Sequence, residues 1–147
     1  MSSKSFTVSL KSKIKSFKRI INVDPDKSLS IRSFLIGSIC QKVSIADNIL
    51  ESEDIKSSIL ACRKLGIKII RIKPQKYKIY GKGLGSFYAK KNTQLNFGNS
   101  GTLARLLIGI LSTTPNIEVN IKGDHSLNKR NMKEIIKLMS KFGASFL

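Results

Sequence analysis

The sequence contains an internal repeat, and this repeat constrains the fold more than any other feature. Residues 30–69 read as a helix, a short strand, a second helix, a glycine and a strand, and residues 102–147 follow the same order. Arg32 and Arg105, on the first helix of each copy, lie 73 positions apart, and two pairs of glycines keep nearly the same offset. A fixed period of this kind indicates a fold assembled from similar supersecondary units.

Hydrophobic periodicity and turn residues predict a chain of mixed α/β (α+β) class. The second copy stops in the middle of a predicted strand, so we expect an incomplete unit with an open sheet edge. The predicted helices are at about 29–41, 52–65, 103–111 and 129–142; the predicted strands are at 18–23, 42–47, 67–72, 117–121 and 144–147; and a hairpin with glycine turns is predicted within 76–89.

The charge is strongly positive, with 27 lysines and arginines against nine acidic residues and a net charge of +18. A nucleic-acid-binding protein is one interpretation. However, most of the excess is lysine spread along the chain, the arginines are dispersed, and tryptophan is absent. Nucleic-acid-binding proteins more often place arginines and aromatic residues together. A small polyanionic ligand suits the charge equally well, and we predict no nucleic acid as the main ligand.

Other classes of protein are excluded by simpler features. No apolar run approaches the roughly 20 residues of a membrane span, and residues 1–19 do not resemble a signal peptide. Cys40 and Cys62 form no CxxC pair, which is typical of a reducing compartment and predicts a cytoplasmic location. His125 is the single histidine and lacks further ligands at suitable spacing, so no metal site is expected.

Three segments bring cations and hydrogen-bond donors to predicted helix starts, where anions bind. DKSLSIR, residues 26–32, places Lys27 and Ser28 just before a helix and Arg32 one turn inside it. GNSGTLAR, residues 98–105, has glycines that allow close backbone approach to a ligand. GDHSLNKR, residues 123–130, holds the equivalent place before the last helix. The first segment could also be a capped helix with solvated charges, and the second a loop with a helix cap.

In this order and spacing, the three segments resemble the N-terminal part of EPSP synthase, 3-phosphoshikimate 1-carboxyvinyltransferase. The resemblance begins at about Lys13 and includes NILESEDIKSSILACRKLGIKI, residues 48–69. It implies an inside-out, barrel-type enolpyruvyl transferase fold of βαβαββ units, here truncated after about one and a half to two units. The implied domain covers residues 1–147, with a first unit at about 13–90, an incomplete second unit at about 91–147, and no C-terminal domain.

The resemblance also implies an activity. The family transfers the enolpyruvyl group of phosphoenolpyruvate to the 5-hydroxyl of shikimate 3-phosphate and releases phosphate, without a metal or an organic cofactor. The implied partners are these two substrates, and a separate chain could supply the missing C-terminal domain. Because that domain holds further catalytic groups of the family, we expect no activity from this chain alone.

Site residues follow from the same resemblance. Lys27 matches a lysine that contacts both substrates and assists proton transfer at the enolpyruvyl carbon, and it is the implied catalytic residue. The implied substrate-binding residues are Lys27, Ser28 and Arg32 around shikimate 3-phosphate, Asn99, Gly101 and Arg130 around phosphoenolpyruvate, and Thr102 and Arg105 in the shape of the loop.

Two substitutions depart from the family's pattern, and one rival family remains. Asp24 and Pro25 replace the usual Pro-Gly, so an altered substrate affinity is expected, and Asn131 replaces a common proline. The UDP-N-acetylglucosamine enolpyruvyl transferases share the fold but use a cysteine on a loop, whereas Cys40 and Cys62 lie on predicted helices.

Overall fold

The computed structural model describes residues 7–9, 11–12, 16 and 18–147. Two predictions concern residues outside this set. Most of residues 1–19, predicted not to be a signal peptide, and residue 13, the predicted start of the first unit, lie outside the described residues. Along the described chain the elements are α1 (Lys27–Ile39), β1 (Val43–Ala46), α2 (Glu53–Lys64), β2 (Lys68–Lys73), β3 (Lys76–Tyr80), β4 (Gln94–Asn96), α3 (Gly101–Leu111), β5 (Asn120–Lys122), α4 (His125–Asn128) and α5 (Lys133–Ser140).

The strands form two small sheets. β3 lies between β1 and β2 in a three-stranded antiparallel sheet, with Ile79 opposite both Ser44 and Ile69. β4 and β5 form a parallel pair in which Leu95 faces Ile121, and α3 provides the crossover between them. This β–α–β arrangement is the usual connection for two parallel strands. A tight hairpin would make the second strand antiparallel, so the chain must cross over through a longer segment such as a helix.

The core lies between the helices and the inner face of the three-stranded sheet. α1 packs against α2, α3 and β3, and its Phe34 ring meets the ring of Tyr77 edge to face, with 5.2 Å between centroids. α3 consists mostly of apolar residues, which is typical of a buried helix. The residues that are almost wholly buried include Ile31, Phe34, Leu35, Ile55, Leu65, Ile79, Leu95, Phe97, Leu103 and Leu107.

The mixed α+β class and most of the predicted elements are confirmed. The four predicted helices are present as α1, α2, α3 and α5, within a few residues of their expected ends, and two strands coincide with β1 and β2. The strand predicted at 117–121 forms only at 120–122, and the very short β4 and α4 were not predicted.

Three predicted elements are wrong. Residues 18–23 form no strand: Ile20 is 98% exposed, and no strand of the described chain pairs with this segment. Residues 144–147 are not a strand either. The apolar residues at both places favour a strand only when their side chains pack against neighbouring strands, and no such strand is present here among the described residues.

The predicted glycine hairpin is wrong beyond its first strand, which forms β3, and its glycines have another role. The hairpin joins β2 to β3 through a turn at Pro74 and Gln75. Gly81 lies against the C-terminal end of α1, where an added Cβ would collide with the carbonyl oxygens of Gly37 and Cys40. This glycine is therefore required for close backbone approach.

Along the residues that the structure describes, no helix combines the length and apolarity needed to cross a membrane.

Candidate functional site: an anion-binding cluster at two helix starts

The first part of the site is the N-terminal end of α1. Asp26 caps this helix: its side chain accepts a hydrogen bond from the N–H of Leu29 at 2.7 Å. The hydroxyl of Ser30 donates to the carbonyl of Asp26 at 2.7 Å and accepts from the N–H of Leu50 at 3.0 Å. These bonds fix the helix start and tie it to the loop before α2, so Lys27 begins from a well-defined backbone position.

Lys27 pairs with an acidic residue at the start of the neighbouring helix. Its Nζ lies 3.0 Å from Oδ2 of Asp54, the second residue of α2. The Lys27 side chain is 53% exposed, whereas that of Asp54 is only 16% exposed. A carboxylate in the first turn of a helix is stabilised by the helix dipole, so Asp54 is a suitable fixed partner for the lysine.

The second part of the site is the loop before α3. Gly98 has a positive φ of 53°, its N–H donates to Oδ1 of Asn96 at 3.0 Å, and its carbonyl accepts from the N–H of Asp124 at 2.8 Å. Ser100 is buried and caps α3, its hydroxyl accepting from the N–H of Leu103 at 3.3 Å. A glycine is favoured at position 98 because L side chains rarely adopt this backbone conformation.

Two arginines converge over the first residue of α3. A Cβ added to Gly101 would lie 2.6 Å from Nη1 of Arg130 and 3.0 Å from Nη1 of Arg105. Arg130 donates to Oδ1 of Asn99 at 2.6 Å, and Arg105 donates to the carbonyl of Asn131 at 3.5 Å. Both guanidinium groups are exposed, and within the described chain each bonds a neutral oxygen instead of a carboxylate. Two adjacent cations with only neutral acceptors attract an anion.

The segment between β5 and α5 holds Arg130 in this place. Asp124 caps α4 by accepting from the N–H of Leu127 at 2.7 Å. The side-chain amide of Asn128 accepts from the N–H of Gly123 at 3.1 Å and donates to its carbonyl at 3.2 Å. Leu127 is buried against Gly123. The short helix is thus anchored at both ends, and Arg130 follows directly after it.

The structure brings some of the predicted site residues together. Asn99, Gly101, Arg105 and Arg130 form one cluster, as described above. Lys27 is connected to this cluster through α2, whose Ser57 hydroxyl lies 3.3 Å from a Cβ position on Gly98.

The other predicted site residues lie on α1 and α3. Ser28 is half-buried at the start of α1, and Arg32 is exposed one turn further along the same face of that helix. Thr102 is half-buried as the second residue of α3. Among the described residues, no hydrogen bond or ion pair joins the side chains of these three to the arginine cluster.

Sequence reasoning missed Asp54 and Ser57, both on the first turns of α2. The sequence shows two acids, Glu53 and Asp54, at the start of this helix, and nothing in it marks which of them faces Lys27. What decides it is the position of each residue around the helix axis. Asp54 and Ser57 are three residues apart and therefore lie on the same face of α2.

Glu51 also belongs to a network, but away from the cluster. Its carboxylate accepts a bidentate pair of bonds from Arg71 at 2.9 and 2.7 Å, together with bonds from the Gln75 N–H and the Tyr77 hydroxyl. The Arg71 bonds are the main reason that the pKa of Glu51 falls from 4.5 to about 2. These four hydrogen bonds attach the loop before α2 to the β2–β3 hairpin.

The remaining chemically active side chains lie elsewhere. Cys62 is buried in α2, and this burial raises the pKa of its thiol to about 11. Cys40 is half-buried at the C-terminal end of α1, at the opposite end of that helix from Lys27. His125 is exposed at the start of α4. In the described part of the chain no three metal-ligating side chains come together.

Comparison with known proteins identifies relatives along nearly the whole chain. The family model described as EPSP synthase (3-phosphoshikimate 1-carboxyvinyltransferase) matches residues 11–146. The 3-phosphoshikimate 1-carboxyvinyltransferase of Syntrophomonas wolfei is 39% identical over 136 residues, which cover 92% of this chain and 31% of the relative. That of Leptospira interrogans is 40% identical over 137 residues, covering 93% of this chain and 30% of the relative.

A solved structure gives the same result for the fold. The EPSP synthase from Acinetobacter baumannii superposes with a TM-score of 0.76 at 36% identity, covering 85% of this chain and 28% of that one. The chain therefore spans about a third of the length of the curated relatives that it matches. The fold is that of the EPSP synthases, as the resemblance implied.

Proposed function

The chain belongs to the EPSP synthase family, and we propose that it forms part of the site at which an enolpyruvyl group is transferred. The reaction moves this group from phosphoenolpyruvate to the 5-hydroxyl of shikimate 3-phosphate and releases phosphate. The names of the relatives support the substrates, because each is called a 3-phosphoshikimate 1-carboxyvinyltransferase.

One observation carries the proposal: the guanidinium groups of Arg105 and Arg130 meet above Gly101 with neutral oxygens as their protein partners. Each substrate bears a phosphate and a carboxylate. Arginine suits both groups because its planar fork can donate two parallel hydrogen bonds to one anion. The two arginines lie beside the N-terminal end of α3, where the helix dipole favours an anion.

We assign the side chains to substrates in the way that the family pattern suggests. Lys27 contacts both substrates and assists proton transfer at the enolpyruvyl carbon. The Lys27 side chain remains 53% exposed beside Asp54, which supports such a contact. Shikimate 3-phosphate is assigned to Ser28 and Arg32, phosphoenolpyruvate to Asn99, Gly101 and Arg130, and the shape of the loop to Thr102 and Arg105.

We also propose the domain organisation that the repeat predicts. Residues of about 13–90 form a first unit and residues 91–147 part of a second one, in a cytoplasmic enzyme. Further catalytic groups belong to the two thirds of the relatives' length that this chain does not match. On this basis the isolated chain binds substrate anions without turning them over.

A binding experiment tests the arginine cluster directly. Phosphoenolpyruvate and shikimate 3-phosphate are titrated into the chain and followed by NMR chemical shifts and calorimetry. Arg130→Gln removes a charge-assisted contact, and we expect affinity for phosphoenolpyruvate to fall about tenfold or more. Lys129→Gln is the matched control, because it removes the same charge one residue away, from an exposed side chain. Equal losses in the two variants, or no binding at all, would contradict the proposed site.

Turnover is tested by completing the enzyme. The chain is mixed with the remaining portion of the Acinetobacter baumannii EPSP synthase, and phosphate release is measured. We expect release from the mixture and none from either part. A stable complex that releases no phosphate counts against the transferase proposal.

The net charge of +18 favours a second candidate function, the binding of nucleic acid. On the sheet, Lys68 and Lys78 also flank the ring of Tyr80, at 5.0 and 5.3 Å from its centroid. Duplex binding that weakens steeply with salt and is unaffected by Arg130→Gln would support this candidate.

A further inference from the structure

We infer that Asp54 is the residue that positions the ammonium group of Lys27, an inference that rests on the proposed function. The family resemblance assigned Lys27 a role but gave it no partner. In the structure, Oδ2 of Asp54 lies 3.0 Å from the Lys27 Nζ, across the interface between α1 and α2.

The burial of the two side chains explains which of them fixes the other. Asp54 is the fixed member, because its side chain is 16% exposed and it lies in the first turn of α2. The dipole of that helix stabilises its negative charge. Lysine has four rotatable side-chain bonds and loses much conformational freedom when it is held in one place. A mostly buried carboxylate therefore selects one direction for a side chain that would otherwise sample many.

The pairing leaves Lys27 able to bind a ligand. An ammonium group has three N–H donors, and the ion pair with Asp54 requires only one of them. With 53% of the Lys27 side chain exposed, the other donors remain available to an incoming phosphate or carboxylate. Asp54 thus orients the lysine without occupying all of its donors.

The same helix connects Lys27 to the loop before α3. Ser57 lies one turn after Asp54, and its hydroxyl is 3.3 Å from a Cβ position on Gly98. α2 therefore contacts both halves of the site with one face. Its first two turns set the distance between the Lys27 ammonium and the segment that begins at Gly98.

A neighbouring pair provides a matched control. Glu53, the residue before Asp54, lies 2.6 Å from Lys56, with side chains 85% and 66% exposed. Exposed pairs of this kind contribute little to stability. Glu53→Gln and Asp54→Asn remove the same charge from the same helical turn, but only the second removes the partner of Lys27.

The first test measures the acetylation rate of each lysine by mass spectrometry in the folded chain. In Asp54→Asn we expect the rate at Lys27 to rise about threefold or more, because a half-buried ion pair is lost. In Glu53→Gln the rate at Lys27 should be unchanged. If Asp54→Asn does not fold by circular dichroism, Asp54→Ser replaces it, since serine is well accepted near helix starts. An unchanged rate at Lys27 in a folded Asp54 variant overturns the inference.

The second test asks whether Asp54 acts through Lys27. Affinity for shikimate 3-phosphate is measured for Asp54→Asn with Lys27 intact and in a Lys27→Gln background. We expect a severalfold loss in the first case and no loss in the second. Equal losses in both backgrounds would mean a structural role and would overturn the inference.

The two tests also separate this inference from the proposed function. If the intact chain binds neither substrate but the Lys27 rate responds to Asp54→Asn, then the proposed function fails while the positioning stands. If the chain binds both substrates but Asp54→Asn changes neither rate nor affinity, then the inference fails alone.

Discussion

Replacing Gly101 by alanine should separate stability from anion binding. The added Cβ would lie 2.6 Å from Nη1 of Arg130 and 3.0 Å from Nη1 of Arg105. Both atoms are at the ends of flexible side chains, so the arginines move and the backbone stays in place. To reach ordinary van der Waals distance Arg130 must retreat by roughly 1 Å, which breaks its 2.6 Å hydrogen bond to Asn99.

The expected magnitudes follow from these contacts. Alanine is favoured over glycine by about 1 kcal/mol inside a helix, and by less at the first helical position. The loss of an exposed hydrogen bond from Arg130 costs about 1 kcal/mol, so the free energy of unfolding should stay within about 1 kcal/mol of the original. Affinity for phosphoenolpyruvate should fall about tenfold, because one charge-assisted contact to the ligand is lost.

Gly109→Ala is the matched control. Gly109 lies in the same helix, and nothing is found within 4 Å of the position that its Cβ would occupy. We expect this variant to be about 1 kcal/mol more stable and to bind phosphoenolpyruvate normally.

Urea unfolding, calorimetry and the NMR signals of the Asn99 side-chain amide provide the three readouts. The reasoning is refuted if Gly101→Ala binds phosphoenolpyruvate as tightly as the original chain while the Asn99 amide keeps its chemical shifts. It is also refuted if Gly101→Ala unfolds, because a backbone clash would then have been overlooked.

Three further predictions concern the fold. Gly81→Ala should lower the free energy of unfolding in urea by about 2–3 kcal/mol, because its Cβ meets backbone oxygens at the end of α1; an unchanged midpoint would contradict this. The pKa of Glu51 is lowered from 4.5 to about 2, so its stabilising effect is complete above pH 4.5 and is lost as the pH falls toward 2. Glu51→Gln should therefore be less stable than the original at pH 7 and about equally stable near pH 2. A difference in unfolding free energy that stays the same at both pH values would contradict the lowered pKa of Glu51. Thiol labelling at pH 8 should modify Cys40 well before Cys62, whose pKa is about 11, and equal rates in the native protein would be inconsistent with its burial.

Local sequence signals predicted the elements of this fold well where they acted within a few residues. The helices expected from about 29 and 103 begin two residues earlier, at Lys27 and Gly101, because Asp26 and Ser100 cap them by bonding N–H groups three positions away. The same kind of reasoning failed for residues 18–23. Their apolar pattern favours a strand, but a strand also needs a partner.

The site was predicted only as a set of motifs. GNSGTLAR and GDHSLNKR could be recognised as anion-binding segments, but the contact of Arg105 and Arg130 with Gly101 joins positions up to 29 residues apart. Likewise, the glycines after β3 were expected to form a turn, whereas Gly81 packs against the end of α1. Glycine marks tight backbone geometry in a sequence without specifying which neighbour requires it.

The sequence by itself determined the repeat, the helices, the excess of positive charge and the three cationic segments, because each depends on residues close together in the chain. The tertiary structure decided which charges meet. It placed Arg130 beside Arg105 with neutral acceptors, and it paired Lys27 with Asp54 instead of Glu53. These choices depend on the phase and packing of α1, α2 and α3, and a shift of one residue along α2 would turn a different side chain toward Lys27.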